Sequence, residues 1–268
     1  MRVDLSGAPQ TMLATLYAKA LDADFDTPIL GDRYAKEIVE HIDYDWKKTT
    51  ITGRRAPSVT TRSAHFDAWV GEFLAVHPSA VVLHLGCGLD SRFLRLQPGP
   101  GVDWYDVDYP EVAALRTQLY PARDHHHVVA ASVTDPAWLA AIPNERPVLM
   151  IGEGLTMYLT HQDGTALLRR VVEHFGSGEL QFDAFNRLGI KSQVLNTVVR
   201  RSGARLKWAV EGPDDILATV PGVRLLAWER WFESRTFAQL PRSSRLMGKA
   251  MALIPAVANM AQYHRYAF

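Results

Sequence analysis

The sequence predicts an α/β fold with a mostly parallel, seven-stranded sheet, helices on both of its faces and a helical cap at the N-terminus. From residue 80 onward, short apolar runs alternate with amphipathic stretches, which is typical of parallel strands joined by helices. The first run ends at the glycine turn Gly86-Cys-Gly88, and Asp108 closes the second run 22 positions after the first glycine. A strand, a glycine turn and a carboxylate at the end of the next strand suit the binding of a nucleoside.

The first part of the chain predicts helices. Apolar residues recur at helical spacing over 11–24, and a second helix begins after Gly31-Asp32. Residues 43–57 are polar and basic and predict an exposed connection, and whether it forms a lid stays open. A long helix over 58–77 follows, with Ser58 as its N-cap.

The alternating region predicts five strands with four helices between them. The strands are expected at 81–85, 102–107, 127–131, 148–152 and 179–185. The helices are expected at 91–96, 110–119, 136–141 and 162–175. Residues 187–208 predict a helical insertion, and 222–228 and 261–268 predict two final strands. The apolar segment 247–260 carries Lys249 and predicts a buried helix rather than a membrane span.

Composition excludes several classes of protein. The net charge is zero, without the broad positive footprint of nucleic-acid-binding proteins. No apolar run approaches the roughly 20 residues that span a bilayer, and the N-terminus has no signal-peptide core. Cys87 is the single cysteine, so no intrachain disulfide is possible and a cytoplasmic location is expected. The 268 residues suit one domain, with a helical cap (1–78), a cofactor-binding core (79–185) and a region of helical insertion and late strands (186–268).

The glycine turn favours a mononucleoside over a dinucleotide. The dinucleotide fingerprint requires a third small residue at position 91, and Ser91 fits it only in part. S-adenosylmethionine is the commonest cofactor that has no phosphate at such a turn. Asp106 and Asp108 lie two apart, hence on the same side of the predicted strand. Asp108, at the end of the strand, is the better partner for ribose hydroxyls.

Four short motifs form a specific combination in this chain. They are Thr61-Arg62, Val82-Leu-His-Leu-Gly-Cys-Gly-Leu-Asp-Ser-Arg92, Trp104-Tyr-Asp-Val-Asp-Tyr-Pro110 and Gly152-Glu-Gly-Leu-Thr-Met-Tyr-Leu159. Together they resemble the leucine carboxyl methyltransferase family, and more closely its bacterial branch of tetracenomycin-type polyketide O-methyltransferases. The resemblance extends from about residue 11 to about residue 185 and fades past residue 190. It implies a Rossmann-like class I methyltransferase fold with S-adenosyl-L-methionine as cofactor.

The resemblance also implies roles for individual residues. Those matched to cofactor-binding positions are Lys19, Arg62, Gly86, Gly88, Asp108, Ser132, Val133 and Glu153. Arg62 corresponds to the arginine that contacts the methionine carboxylate, Asp108 to the ribose carboxylate, and Glu153 to the acidic residue after the fourth strand. Ser132-Val133 stand where the family often has Asp-Leu, which weakens the expected contact with the adenine amino group unless Asp135 replaces it. A structural role is the alternative for each of these residues.

Four residues are candidates for the substrate side of the site. Tyr158 is expected at the substrate mouth or in the core, and His161 as a base or a helix cap. Arg54 and Arg55 are expected either as anchors for an anionic substrate or as solvated charges. The run His125-His-His127 predicts no metal site, because adjacent side chains on a strand do not converge. No Gly-x-Ser-x-Gly elbow is present, which argues against a serine hydrolase.

Methyl transfer to an oxygen atom is the function that these observations favour. The expected acceptor is a small-molecule carboxylate or hydroxyl, with a polyketide as one option. A carboxylate, with a pKa of about 4, is ionised at neutral pH and needs no base, whereas a phenol, with a pKa of about 10, benefits from one. Three alternatives stay open: methylation of a protein C-terminal carboxylate, an NAD(P)-dependent oxidoreductase, and a non-catalytic Rossmann-like binding protein. No nucleic-acid or membrane partner is expected, and the oligomeric state is not predicted.

Overall fold

One sheet of seven strands lies at the centre of the structure, a computed structural model in which residues 8–195 and 197–268 are described. Its strands are β1 (Ala80–Leu85), β2 (Val102–Asp108), β3 (His126–Ala130), β4 (Val148–Gly152), β5 (Gly178–Phe185), β6 (Arg224–Arg230) and β7 (Ala261–Ala267). Their order across the sheet is β3-β2-β1-β4-β5-β7-β6. Strands β1 to β5 pair in parallel, and β7 runs antiparallel to both β5 and β6. The predicted mostly parallel sheet is confirmed.

Helices cover both faces of this sheet. Over the described ranges they are α1 (Ala8–Ala23), α2 (Arg33–His41), α3 (Ala56–Val76), α4 (Arg92–Leu96), α5 (Pro110–Leu119), α6 (Ala137–Ala140), α7 (His161–His174), α8 (Arg187–Lys191), α9 (Thr197–Ser202), α10 (Pro213–Thr219), α11 (Arg242–Met251) and α12 (Pro255–Ala258). Successive side chains of a strand point to opposite faces. Accordingly, Val81 and Leu83 pack in the apolar cluster that includes α7, whereas Ala80 and Val82 pack in the cluster that includes α3.

The start of α3 differs from the prediction. The helix begins at Ala56, with Arg55 at the N-cap position and Pro57 in the first turn. Proline suits this turn because its missing N–H would have no partner inside the helix there. The prediction of Ser58 as N-cap is wrong, since Ser58 lies inside the helix and its Oγ donates to the carbonyl oxygen of Arg55 at 2.7 Å.

The connection before α3 is only partly exposed. Residues Trp46–Thr49 form a 3₁₀ turn, and the ring of Trp46 stacks on Tyr17 of α1 with centroids 5.2 Å apart. Thr49 is buried. The predicted exposed connection is therefore wrong for this turn, because aromatic packing against α1 holds it in place. Residues 52–55 are exposed, as predicted.

The predicted buried helix over 247–260 is wrong. The segment is divided between the end of α11 and the short α12, which begins at Pro255. Proline cannot donate a backbone hydrogen bond, so it starts a new helix rather than continuing the old one. Met247 and Leu253 are 65% and 83% exposed. None of the described helices is long and apolar enough to cross a bilayer.

The predicted helical insertion over 187–208 is helical only in its first part. Helices α8 and α9 occupy it up to Ser202. The chain then continues without helix, and Ala209 forms an isolated parallel bridge with Phe185 at the end of β5. This non-helical stretch reaches the functional site described below.

Two buried histidines make stability depend on pH. Burial lowers the pKa of His65 to about 4 and that of His264 to about 3. The Nε2 atom of each ring is buried without a hydrogen-bond partner among the described residues, as expected for neutral rings. The unfolded chain, in which a histidine pKa is about 6.5, takes up protons first as the pH falls.

We expect the free energy of unfolding to fall between pH 6.5 and pH 5, by up to about 1.4 kcal/mol per pH unit for each ring. Carboxylates with ordinary or lowered pKa values stay ionised in both states over most of this window. Urea denaturation of the wild type and of the His264→Phe variant should give a shallower pH slope for the variant. Equal slopes would contradict the assignment, and the interval from pH 8 to pH 9, where both rings are neutral in the folded and in the unfolded chain, is the internal control.

Candidate active site

A cavity of about 460 Å³ opens at the carboxyl-terminal edge of the parallel strands. The cavity lies at the end of β1, between the neighbouring strands β2 and β4. At β1 the order of the strands across the sheet reverses. Open α/β sheets bind ligands at this point, and the volume is typical of small-molecule sites. The lining includes Lys19, Arg62, His84, Gly86, Gly88, Asp108, Ser132, Val133, Glu153, Gly154, Tyr158, Arg205 and Lys207. All the residues predicted to contact a cofactor thus surround one cavity.

The glycine turn holds the Asp108 carboxylate at the cavity wall. Gly86 and Gly88 both have positive φ angles, of 63° and 52°, which glycine adopts without steric cost. This conformation lets the Gly88 N–H donate to Asp108 Oδ2 at 2.7 Å, while the Tyr109 N–H donates to Oδ1 at 2.8 Å. Burial raises the pKa of Asp108, and these two N–H donors oppose the rise. Each oxygen keeps a lone pair for a ligand.

Asp106, two residues before Asp108, has a structural role. It is fully buried, forms an ion pair with Arg116, and accepts from His84 Nδ1 at 2.9 Å and His126 Nε2 at 2.5 Å. Burial would raise its pKa, but the charge of Arg116 and these hydrogen bonds hold it far below the ordinary range. Asp106 does not line the cavity.

Arg62 reaches the cavity from α3. Its Nε donates to Glu153 Oε1 and its Nη1 to Asp183 Oδ2, both at 3.1 Å. Two carboxylates on neighbouring strand ends therefore fix the plane of the guanidinium. The Nη2 group has no hydrogen bond to the described residues, and the side chain is 22% exposed. A ligand carboxylate in the cavity can therefore accept from Nη2.

Gly154 permits this position of Arg62. Its φ angle is +68°, and an added Cβ would lie 3.2 Å from Arg62 Nη2. The Gly154 N–H donates to Asp183 Oδ1 at 2.6 Å. A side chain at position 154 would therefore strain the backbone and push against the guanidinium.

Glu153 joins Arg62 to a buried ionic network behind the cavity. It accepts from Ser63 Oγ at 2.7 Å and forms an ion pair with Arg92. Burial would raise the pKa of Glu153, but the positive charges of Arg92, Lys19 and Arg62 hold it far below its usual range. Glu153 is an anion that fixes Arg62 and is not available to accept a proton.

Lys19 closes the network from α1. Its Nζ lies 3.0 Å from Asp90 Oδ2, and both side chains are nearly fully buried. Asp90 also pairs with Arg95 at 2.7 Å and with Arg92 at 3.3 Å. Burial would raise the pKa of Asp90, but Arg95, Lys19 and Arg92 lower it well below the ordinary value.

The side of the cavity next to β3 is polar but carries no carboxylate from this strand. Ser132 and Val133 line it, and Ser132 Oγ shares a hydrogen bond of 2.8 Å with Thr134 Oγ1. Asp135 does not line the cavity, because its Oδ1 accepts from the Ala137 N–H at 2.9 Å at the start of α6. Asp135, suggested as a replacement for the missing acidic residue, is thus bonded to the start of α6 and is not among the lining residues.

The substrate-side candidates separate in the structure. Tyr158 lines the cavity, and burial raises its pKa. His161 lies outside the lining, with its ring edge-on to Trp208 at 5.9 Å. Arg54 and Arg55 are exposed on the connection before α3 and do not reach the cavity.

Sequence reasoning missed several residues of this site. Asp183 fixes Arg62, Arg92 fixes Glu153, and His84 lies between Asp106 and Arg92. Arg205 and Lys207 line the cavity from the non-helical stretch after α9. A sequence signal existed for Asp183, because Glu179, Gln181 and Asp183 alternate with apolar residues along β5 and so share one side of the strand.

The sequence model of the family described as leucine carboxyl methyltransferase matches residues 10–172, more than half of the chain. The chain belongs to the leucine carboxyl methyltransferase family. The matched region includes most of α1, the glycine turn, Asp108 and the Arg62–Glu153 pair. Every residue predicted to bind the cofactor therefore lies inside the family region.

Two relatives of this family member match it over nearly its whole length. The tetracenomycin polyketide synthesis O-methyltransferase of Streptomyces glaucescens is 40% identical over 99% of this chain and 98% of its own. An S-adenosyl-L-methionine-dependent methyltransferase of Gibberella zeae is 35% identical over 92% of this chain and 89% of its own. The family model ends at residue 172, in agreement with the expectation that the family resemblance fades past residue 190, whereas the alignment with the first relative extends over nearly the whole chain.

A solved structure shows the same fold. The crystal structure of magnesium protoporphyrin IX methyltransferase from Synechocystis, with bound S-adenosylhomocysteine, has a TM-score of 0.51 and 12% identity, over 83% of this chain and 92% of that chain. At this identity the likeness concerns the fold alone.

This leucine carboxyl methyltransferase family member is an enzyme, an S-adenosyl-L-methionine-dependent methyltransferase, as predicted. These matches favour a methyltransferase over the two alternatives of an oxidoreductase and a non-catalytic binding protein. The donor set of the cavity fits the cofactor, since it offers a carboxylate with free lone pairs, a guanidinium with an N–H that has no partner among the described residues, and two glycines that line the cavity.

Proposed function

We propose that this methyltransferase transfers the methyl group to a carboxylate oxygen of a small aromatic acid. The name of the Streptomyces glaucescens relative supports oxygen as the acceptor atom and a polyketide as the acceptor class. A cavity of this size holds a cofactor together with part of a planar aromatic acceptor.

The proposal that the acceptor is a carboxylate rests on the protonation and the hydrogen bonds of the titratable groups along the cavity. His84 is held through both ring nitrogens, by Asp106 and Arg92, and burial lowers its pKa. Burial raises the pKa of Tyr158, which keeps the phenol protonated. Glu153 is committed to its ion pairs. None of these three groups is a suitable general base.

A carboxylate acceptor needs no such base. Its oxygen is already anionic at neutral pH, whereas a phenol must lose a proton during transfer. The bound cofactor supplies an electrophilic methyl group on a sulfonium. The protein's contribution is to position the acceptor oxygen in line with it and to exclude water.

The proposal also assigns each cofactor-binding residue to one part of S-adenosyl-L-methionine. Asp108 accepts from the ribose hydroxyls, and Arg62 Nη2 donates to the methionine carboxylate. Ser132 and Val133 contact the adenine. The glycine turn allows the methionine part to approach the backbone. A cytoplasmic location stays a prediction.

The test is transfer of a tritiated methyl group from S-adenosyl-L-methionine to β-naphthoate, to β-naphthol and to a peptide with a C-terminal leucine. We expect label in the naphthoate product. Mild alkali should release it as methanol, because esters hydrolyse and aryl ethers do not. Label on naphthol that resists alkali would contradict the carboxylate proposal. Transfer to the peptide alone would favour the protein C-terminus as acceptor.

A further inference from the structure

Among the described residues, both cations on the cofactor side of the cavity, Lys19 and Arg62, are paired. Lys19 lies 3.0 Å from Asp90, and Arg62 bonds to both Glu153 and Asp183. These carboxylates are at least nine-tenths buried, so their attraction is weakly screened by solvent.

Two further cations of the cavity lack such partners. Arg205 and Lys207 line it from the stretch that follows α9. Both side chains are exposed, and neither has a hydrogen bond or ion pair to the described residues. The cavity therefore carries two positive charges that no carboxylate of the described chain neutralises.

Backbone geometry presents this pair to the cavity. Exposure alternates along the stretch: Arg205 and Lys207 are exposed, whereas Leu206 and Trp208 are buried. Alternation of this kind is the mark of an extended chain, in which residues two apart share one side and lie about 7 Å apart. The two cations are thus neighbours on the face that lines the cavity.

Hydrogen bonds hold the stretch in position. The Lys207 N–H donates to the carbonyl oxygen of Met157 at 2.7 Å, and the Leu206 N–H donates to Gln193 Oε1 at 2.9 Å. Met157 directly precedes Tyr158, which also lines the cavity. The backbone that carries the two cations is therefore attached to the loop after β4.

We infer that Arg205 and Lys207 form an anion-binding pair that holds the acidic acceptor at the mouth of the cavity and selects it over neutral acceptors. The inference rests on the proposed function, because it assigns the residues that recognise the carboxylate class. A guanidinium and an ammonium each donate charge-assisted hydrogen bonds to a carboxylate. A neutral hydroxyl acceptor of the same shape gains none of this attraction.

The test is calorimetric titration of β-naphthoate and β-naphthol into the complex of the enzyme with S-adenosylhomocysteine. For the Arg205→Gln/Lys207→Gln double variant, we expect a Kd for naphthoate about tenfold higher than that of the wild type. The Kd values for naphthol and for S-adenosylhomocysteine should not change. The charge-conserving Arg205→Lys/Lys207→Arg variant should retain most of the naphthoate affinity.

The matched control is Arg224→Gln. Arg224 is exposed on the edge strand β6 and pairs in register with Ala267, at the sheet edge opposite the cavity. Unchanged naphthoate affinity in the double variant would overturn the inference. So would an equal loss for naphthoate and naphthol, which indicates altered shape rather than lost charge, or a wild type without preference for the acid.

These binding measurements separate two failures. If wild-type enzyme transfers no methyl group to any acceptor, the proposed function fails regardless of the variants. If wild-type enzyme methylates naphthoate and the double variant binds and methylates it with unchanged KM, only the anion-binding pair is refuted. A rise in KM with nearly constant kcat is the kinetic result expected for a residue pair that binds the acceptor.

Discussion

Asp108→Ala is expected to weaken the binding of S-adenosylhomocysteine by at least tenfold and to leave the fold intact. Hydrogen bonds to a charged group contribute about 1.5–3 kcal/mol each, and the Asp108 carboxylate keeps lone pairs for two ribose hydroxyls. The variant also removes the acceptor of the Gly88 N–H, which lies 2.7 Å from Oδ2. Titration calorimetry measures the affinity, and circular dichroism reports the fold.

The Asp108→Asn variant separates the two effects. Asparagine keeps one acceptor oxygen for the turn but has no charge, so we expect an affinity between those of the wild type and the alanine variant. Asp26→Ala is the control, since Asp26 is exposed and lies outside the cavity lining. Wild-type affinity in Asp108→Ala would refute the assignment of this carboxylate to the ribose.

Arg92→Met is expected to lower the free energy of unfolding by about 3–5 kcal/mol. Arg92 is fully buried and pairs with Asp67 at 2.6 Å, with Asp90 at 3.3 Å and with Glu153. Removing one member of a buried ionic group leaves uncompensated charges in a region of low dielectric constant. Urea denaturation measures the loss, and the pKa of Glu153 should rise because Arg92 is the largest charge that lowers it.

Arg230→Met provides the comparison for Arg92→Met. Arg230 pairs with Glu233 on the surface, where both side chains are about a third exposed or more. Such pairs contribute about 0–1 kcal/mol. If the two variants were destabilised equally, the buried network would have no special role. We also expect Arg92→Met to weaken S-adenosylhomocysteine binding, because Glu153 would no longer hold Arg62 as firmly.

Local sequence patterns were sufficient to predict the strands of the sheet and the glycine turn. Strand runs, glycines with positive φ and a carboxylate at a strand end each depend on neighbours along the chain. Asp108 bonds to Gly88 across adjacent parallel strands, and this register is implied when two successive strands pair. For the same reason, the helices between strands were predicted nearly where they lie.

Such patterns could not predict which charged side chains form ion pairs with one another. The bond between Arg62 and Asp183 joins residues 121 positions apart, and that between Arg92 and Glu153 joins residues 61 positions apart. In the sequence, Arg54, Arg55 and Arg205 are all basic residues of connecting segments. Only Arg205 of these three lines the cavity. A basic residue in a loop gives no information about which edge of the sheet the loop covers.

The sequence by itself determined the fold class, the cofactor type and the position of the carboxylate beside the glycine turn. These follow from the periodicity of apolar residues, from the backbone conformation of glycine and from short motifs whose residues are close in sequence. Only the tertiary structure decided which charges are buried and paired, and which are left to meet a ligand. The strength of an ionic group depends on its burial and on partners from distant segments, and both arise only when the chain is folded.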